Sequence, residues 1–212
     1  MNTNKYDTVI WDFNGTILDD LSMCLKIINS ILKEHQLPLL TKKTYLEVFR
    51  FPIESYYDDI GLTACAPFSE LAKIFSEQYV NSVAKMACFS DIAPTVKALT
   101  KLGIKQVVIS ASNHELLIQQ MKDLKIAEYF EEILGISDIY AAGKTEIAVN
   151  WRKINKLDRV LWVGDTDHDY EIAKLIRADC VLIARGHVSA ERLHKTKALV
   201  LDDAQSIVAF CG

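Results

Sequence analysis

Three runs in this 212-residue chain place acidic or hydroxyl side chains directly after apolar segments. Asp12-Phe13-Asn14-Gly15-Thr16 follows a β-branched and aromatic run. Ser110-Ala111-Ser112-Asn113 follows Gln106-Val107-Val108-Ile109. Gly164-Asp165-Thr166-Asp167-His168-Asp169 follows Val160-Leu161-Trp162-Val163. A carboxylate emerging from a buried strand is costly unless it is paired or bound to a cation. Asp12 and Asp165, arriving from different strands, can share one hard cation. Mg²⁺ suits them, because it takes one or two carboxylates, waters and a substrate phosphate. Backbone amides of the turn after Asp12 can cradle phosphate oxygens, and the Ser110 hydroxyl can donate another hydrogen bond. Lys144 would complete the charge balance. The residues therefore point to a Mg²⁺-dependent phosphate site centred on Asp12.

A sheet must hold these runs together. Tyr6–Phe13 reads as a strand buried on both faces, as in a parallel sheet. Further strands are expected at 104–112, 130–137, 159–165, 180–184 and 198–202. They alternate with helices at 92–103, 113–126, 144–156 and 168–178, the first ending at Gly103 as a C-cap. That alternation predicts an α/β fold with a doubly wound parallel sheet. Between Leu21 and Lys85 the pattern is helical instead, with Leu21, Leu25, Ile28 and Leu32 forming a stripe. Helices are also expected at 41–49 and 69–86, separated by breaks at Arg50-Phe51-Pro52 and Gly61, and no strand is expected in this block. The helical block is thus an insertion after the first strand, placed to act as a lid over the ligand-binding edge. The expected division is a core of 1–18 and 89–212 with a cap of 19–88.

Composition narrows the partners. Half of the residues are hydrophobic and a quarter charged, as in ordinary globular proteins, and the net charge of −4 without a basic stripe argues against nucleic acid. Cys24, Cys65, Cys88, Cys180 and Cys211 are scattered and never form a C-x-x-C pair, which argues against a zinc site or disulfide framework. No apolar run is long enough to span a bilayer and no signal peptide precedes the first strand, so the expected setting is the cytoplasm, away from membranes.

Several residues carry two readings. Ala142-Gly143-Lys144-Thr145 superficially suggests a P-loop, but that motif needs glycine where Asp138 stands. Asp167 and Asp169 suit a helix N-terminus, whose dipole favours acids. Trp11 and Trp162 read as core beneath the site, and His114 as a helix N-terminal surface residue.

Asp12–Thr16, Ser110, Lys144, and Gly164-Asp165-Thr166 with Asp169 resemble, in order and spacing, the four motifs of the haloacid dehalogenase-like hydrolases, mainly phosphatases. The helical insertion resembles the cap of the phosphoglycolate phosphatase and β-phosphoglucomutase subgroup. The resemblance implies that Asp12 attacks phosphorus to form an aspartyl-phosphate, and that Asp12, Asp165 and the Asn14 main-chain carbonyl hold Mg²⁺, with Asp169 part of the metal site as the residue that orients this shell from behind it. It implies that Ser110 and Lys144 hold the phosphoryl group. Substrate contacts would come from Gly15, Thr16, Ala111, Asn113 and, in the cap, Arg50, for which an exposed helix-end role fits equally. One position departs from the pattern: the family's acid–base aspartate is Asn14 here, and a carboxamide does not titrate. Two functions follow as expectations. One is a hydrolase of a small phosphorylated metabolite, favouring good leaving groups; the other is a phosphate-ligand-binding or regulatory protein. Dehalogenase action fits poorly with the metal-suited Asp165 and Asp169, and mutase action with the missing aspartate.

Overall fold

A computed structural model describes residues 4–136 and 143–212. Six parallel strands form one sheet in the order β5-β4-β1-β6-β7-β8. They are β1 (Thr8–Trp11), β4 (Lys105–Asn113), β5 (Glu132–Ile136), β6 (Val160–Gly164), β7 (Asp179–Ile183) and β8 (Leu199–Leu201). Alternation along β1 shows why both faces are covered. Val9 and Trp11 enter a cluster with Ile92, Val96, Leu99, Leu117 and Met121, from helices α5 (Ile92–Lys101) and α6 (His114–Asp123). Ile10 enters the opposite cluster with Ala148, Trp151, Ile172 and Ile176, carried by α7 (Lys144–Ile154), α8 (Asp167–Leu175) and the residue that ends α8. The doubly wound expectation is met.

Register decides where the chemistry lies. Trp11 pairs with Val108 on one side and with Val163 on the other. One residue further, Asp12 is level with Ile109 and Gly164, so Ser110 and Asp165 emerge beside it. The Asp12 amide still donates to the Val163 carbonyl at 2.8 Å.

The first strand is shorter than its apolar run, because the chain turns at Phe13, whose carbonyl accepts from the amides of Ile17 and Leu18. The turn leads into β2 (Leu18–Asp19), which pairs antiparallel with β3 (Ala87–Cys88). A two-residue strand has no readable period, and this ribbon was not expected. Between its strands run α1 (Leu21–Glu34), α2 (Lys42–Val48), α3 (Ile53–Asp59) and α4 (Phe68–Val80), and no described residue of 21–86 is in a strand. These helices bury their own cluster around Ile28, Ile31, Leu32, Leu62 and Leu71. Short helices α9 (Ala190–Leu193) and α10 (Ser206–Cys211) complete the chain. Ser137, the last residue of the strand expected at 130–137, lies outside the described residues, as do Asp138 and Ala142. No helix among the described residues is long and apolar enough to cross a membrane.

Ile28 is fully buried at the centre of the helical cluster. Ile28→Ala is expected to destabilise the protein by about 2–5 kcal/mol, the range for emptying such a site, measured as a lowered urea midpoint.

Candidate active site

Helix α7 begins at Lys144, and this first position points the side chain at the sheet edge. Its Nζ lies 2.6 Å from Asp12 Oδ1 and 2.5 Å from Asp169 Oδ1. All three groups are buried, Asp12 retaining 6% exposure. Burial disfavours the Lys144 charge, but the two carboxylates outweigh it and hold the ammonium above its ordinary range. Burial also pushes the Asp12 carboxyl up, and repulsion from Asp169 and Asp165 adds to this against the pull of Lys144.

Asp169 is held more completely than a metal ligand would be. Its Oδ1 accepts from Lys144 and from Trp162 Nε1 at 3.1 Å. Its Oδ2 accepts from the Thr166 hydroxyl at 2.6 Å and from the amides of Thr166 and Asp165 at 3.0 and 3.3 Å. Five donors on roughly four lone-pair sites leave nothing for a cation. Asp169 therefore stands behind the direct ligands, where it orients Lys144 and closes the capping box of α8, in keeping with both the helix-terminal reading and an orienting role. Asp167 stands apart, in a surface pair with Arg192.

Asp165 accepts from the Thr16 hydroxyl at 3.0 Å and from the His187 amide at 2.7 Å. Backbone comes unusually close to it: a Cβ on Gly186 would lie 2.0 Å from its Oδ2, and one on Gly15 2.4 Å, at a φ of +73°. Each Asp165 oxygen keeps a lone pair, and among the described residues Lys144 alone bonds the Asp12 carboxylate. Carboxylate oxygens of Asp12, Asp165 and Asp169 lie within 4.8 Å of one another. Three buried carboxylates around one lysine carry excess negative charge, and an oxygen-only donor set fits a hard divalent cation such as Mg²⁺.

Other expected contacts are redistributed. Thr16 is fully buried and serves Asp165. The Gly15 amide already donates to the Leu18 carbonyl and Asp20 Oδ1, both at 3.0 Å, so it is not part of a phosphate cradle. Asn113 caps α6 by accepting from the Leu116 amide, and Ala111 is exposed beside it. Arg50 is 46% exposed and paired with Asp59 at 2.7 Å, the arrangement that the helix-end reading expects. Its neighbours do reach inward: Phe49 packs on His187 and Phe51 stacks on His168. Ser110 stays at the centre, 3.4 Å from Asn14 Oδ1, while the unexpected Ser112 hydroxyl donates to the same oxygen at 2.7 Å.

A second buried cluster adjoins the first and was missed. Asp20 Oδ1 is 3.0 Å from His187 Nε2. Its Oδ2 accepts from Asn14 Nδ2 at 2.8 Å, Tyr79 at 3.1 Å and Cys24 at 3.5 Å. The Tyr45 hydroxyl meets His187 Nδ1 at 2.9 Å. Tyr45 and Tyr79 come from α2 and α4. His187 lies four residues beyond the end of β7, outside the reach of the strand-end rule that singled out Asp12 and Asp165.

Burial opposes the charge on His187, but the Asp20 carboxylate prevails and pushes its pKa up from 6.5 to about 9. Burial likewise works against ionised Asp20, and His187 prevails, lowering it. A raised pKa means that the folded state holds the proton more tightly. The stabilisation is therefore full below about pH 6.5 and lost as pH rises through about 9. In EDTA, the loss across this window is expected to be on the order of 3 kcal/mol. Urea titrations at stepped pH should show it, and His187→Gln, which cannot titrate, should flatten the profile.

A family model described as haloacid dehalogenase-like hydrolase matches residues 9–183. Among curated relatives, a phosphoglycolate phosphatase of Pseudomonas savastanoi pv. phaseolicola is 21% identical over 96% of this chain and 79% of the relative. A phosphoglycolate phosphatase of Aquifex aeolicus is 26% identical over 85% of each chain. Among solved structures, a haloacid dehalogenase-like hydrolase from Streptococcus pneumoniae superposes with a TM-score of 0.81 at 19% identity, covering 97% of this chain and 98% of that one. The motif residues gathered at the sheet edge and the match across most of the chain agree: the protein belongs to the haloacid dehalogenase-like hydrolases.

Proposed function

We propose that this hydrolase is a Mg²⁺-dependent phosphatase of a small phosphorylated metabolite, with Asp12 as nucleophile. The buried Asp12–Lys144–Asp169 cluster carries the reading. Asp12 Oδ2 attacks phosphorus, the bond to the leaving oxygen breaks, and an aspartyl-phosphate forms. Water then attacks that phosphorus, releasing phosphate and restoring the carboxylate. Lys144 fixes the orientation of Asp12 through Oδ1 and offsets negative charge as phosphate approaches, and the Ser110 hydroxyl donates to a phosphoryl oxygen. Asp12, Asp165 and the Asn14 main-chain carbonyl would hold the cation, which supplies positive charge to the phosphoryl oxygens when bound. Residues 19–88 act as the cap and 1–18 with 89–212 as the catalytic core, a division supported by the separate buried cluster of Leu21, Ile28, Leu32, Leu62 and Leu71, with Tyr45 and Tyr79 reaching His187 and Asn14 across the boundary. The relatives' name makes small acidic phosphate monoesters natural first substrates to test.

Asn14 cannot protonate the leaving oxygen, and such assistance is worth roughly 10²–10⁴-fold. Acyl and aryl phosphates, whose leaving groups need no proton, are therefore expected to outpace alkyl phosphates by at least about 10²-fold. Phosphate release from an aryl phosphate is expected to require Mg²⁺, to stop in EDTA and to fall by roughly 10³-fold or more in Asp12→Asn. Activity surviving in Asp12→Asn would remove the nucleophile assignment; a wild type that binds phosphate without turnover would instead support the phosphate-binding reading. Arg50→Ala, remote from this machinery, is expected to leave KM within about twofold, as for a surface pair.

A further inference from the structure

Asn14 stands between two sets of groups with opposite demands. Its Oδ1 accepts from the hydroxyls of Ser112 at 2.7 Å and Ser110 at 3.4 Å. Its Nδ2 lies 2.8 Å from Asp20 Oδ2 and 2.6 Å from the Tyr79 hydroxyl, which itself donates to Asp20. An ionised carboxylate only accepts, so it dictates which end of the carboxamide faces it. Turning the amide over would set Oδ1 against Asp20 and strip the serine hydroxyls of their acceptor. Asp20 is also tied to the nucleophile turn through the Gly15 amide, to His187, and to α4 through Tyr79.

We infer that Asp20 is a positioning residue acting through Asn14, and that acceptor carboxylate and donor amide at these two positions form one functional unit. This rests on the reading of the Asp12 edge as a phosphoryl-transfer site. Asp20 fixes the amide, the amide fixes the Ser110 and Ser112 hydroxyls, and Ser110 is the hydroxyl that meets the phosphoryl group. Asn14 is then no isolated loss of an aspartate. A carboxylate at 14, with Asp20 unchanged, would place two anions at the 2.8 Å separation now bridged by an N–H. Exchanging the two side chains would satisfy the set again: a carboxylate at 14 accepts from an amide at 20, from Tyr79 and from Ser112.

The test is a cycle of wild type, Asn14→Asp, Asp20→Asn and the double variant. Steady-state kcat and KM are measured with an aryl phosphate and Mg²⁺, inorganic phosphate affinity by calorimetry, and urea midpoints in EDTA. Each single variant is expected to lose kcat by about tenfold or more with a smaller change in KM, and Asn14→Asp to lower the urea midpoint. The double variant is expected to recover the midpoint and to exceed the product of the single effects on kcat by about tenfold, as coupled neighbours do. Single effects that simply multiply, within about twofold, overturn the unit. Midpoints that couple while kcat does not overturn the positioning role. If the wild type releases no phosphate, the nucleophile reading fails, and the pair is judged on phosphate affinity and midpoint by the same criteria.

Discussion

Negative charge taken out of water governs this molecule. Asp12 and Asp165 directly follow strands rich in apolar residues, the parallel register brings them to one edge, and the first turn of α8 adds Asp169. One ammonium, Lys144, touches two of them. Isolated ionised carboxylates in such a place would cost many kcal/mol, so the surroundings are organised to hold them. Trp162 gives its indole N–H to Asp169, Thr16 its hydroxyl to Asp165, and the loop after β7 its backbone amide. Glycines at 15 and 186 exist because a Cβ at either would occupy the space of Asp165 itself. The turn, the α8 cap and the placement of α7 all follow from that demand.

How much of this could be read from the residues depended on whether a signal was local. Strand ends were legible because side-chain polarity changes abruptly there: the Val-Ile-Trp run stops at Asp12, and Leu-Trp-Val stops at Gly164-Asp165. The doubly wound sheet was legible from alternating strands and helices. Lys144 was found by its place before the fourth motif, and its two carboxylate partners explain it. Asp20 was not found. It looks like one of two acids ahead of a helix, Asp19 and Asp20, where the dipole alone would justify both. Only the pairing of β2 with β3 shows that Asp19 turns outward while Asp20 turns into the molecule. His187 lies 167 residues from its partner, and no local pattern carries a contact of that separation.

The residues expected to contact substrate have protein partners of their own. Gly15, Thr16 and Asn113 were assigned by adjacency to a motif, yet each already has a demanding partner: Leu18 and Asp20, Asp165, and the first turn of α6. Buried donors and acceptors must be satisfied, and adjacent protein groups satisfy them before ligands do. Arg50 has its partner at the surface. A guanidinium that reaches Asp59 with two nitrogens on the surface has no reason to turn inward.

The junction between the helical segment and the sheet edge combines these themes. Tyr45 and Tyr79 bring hydroxyls to His187 and Asp20, while Phe49 brings an apolar ring to His187. Hydroxyl–water exchange costs little, because water can take the place of each tyrosine if the segments separate. The ring contacts have no such substitute, and their burial favours the closed arrangement. Polar contacts therefore set how the helical segment registers against the Asp12–Thr16 turn, and apolar contacts set how firmly it stays. With Asn14 bonded to Tyr79 on one side and to the serines on the other, the position of α4 is transmitted to Ser110 through a single carboxamide. The Asn14 carboxamide has all of these partners only when the helical segment is in place.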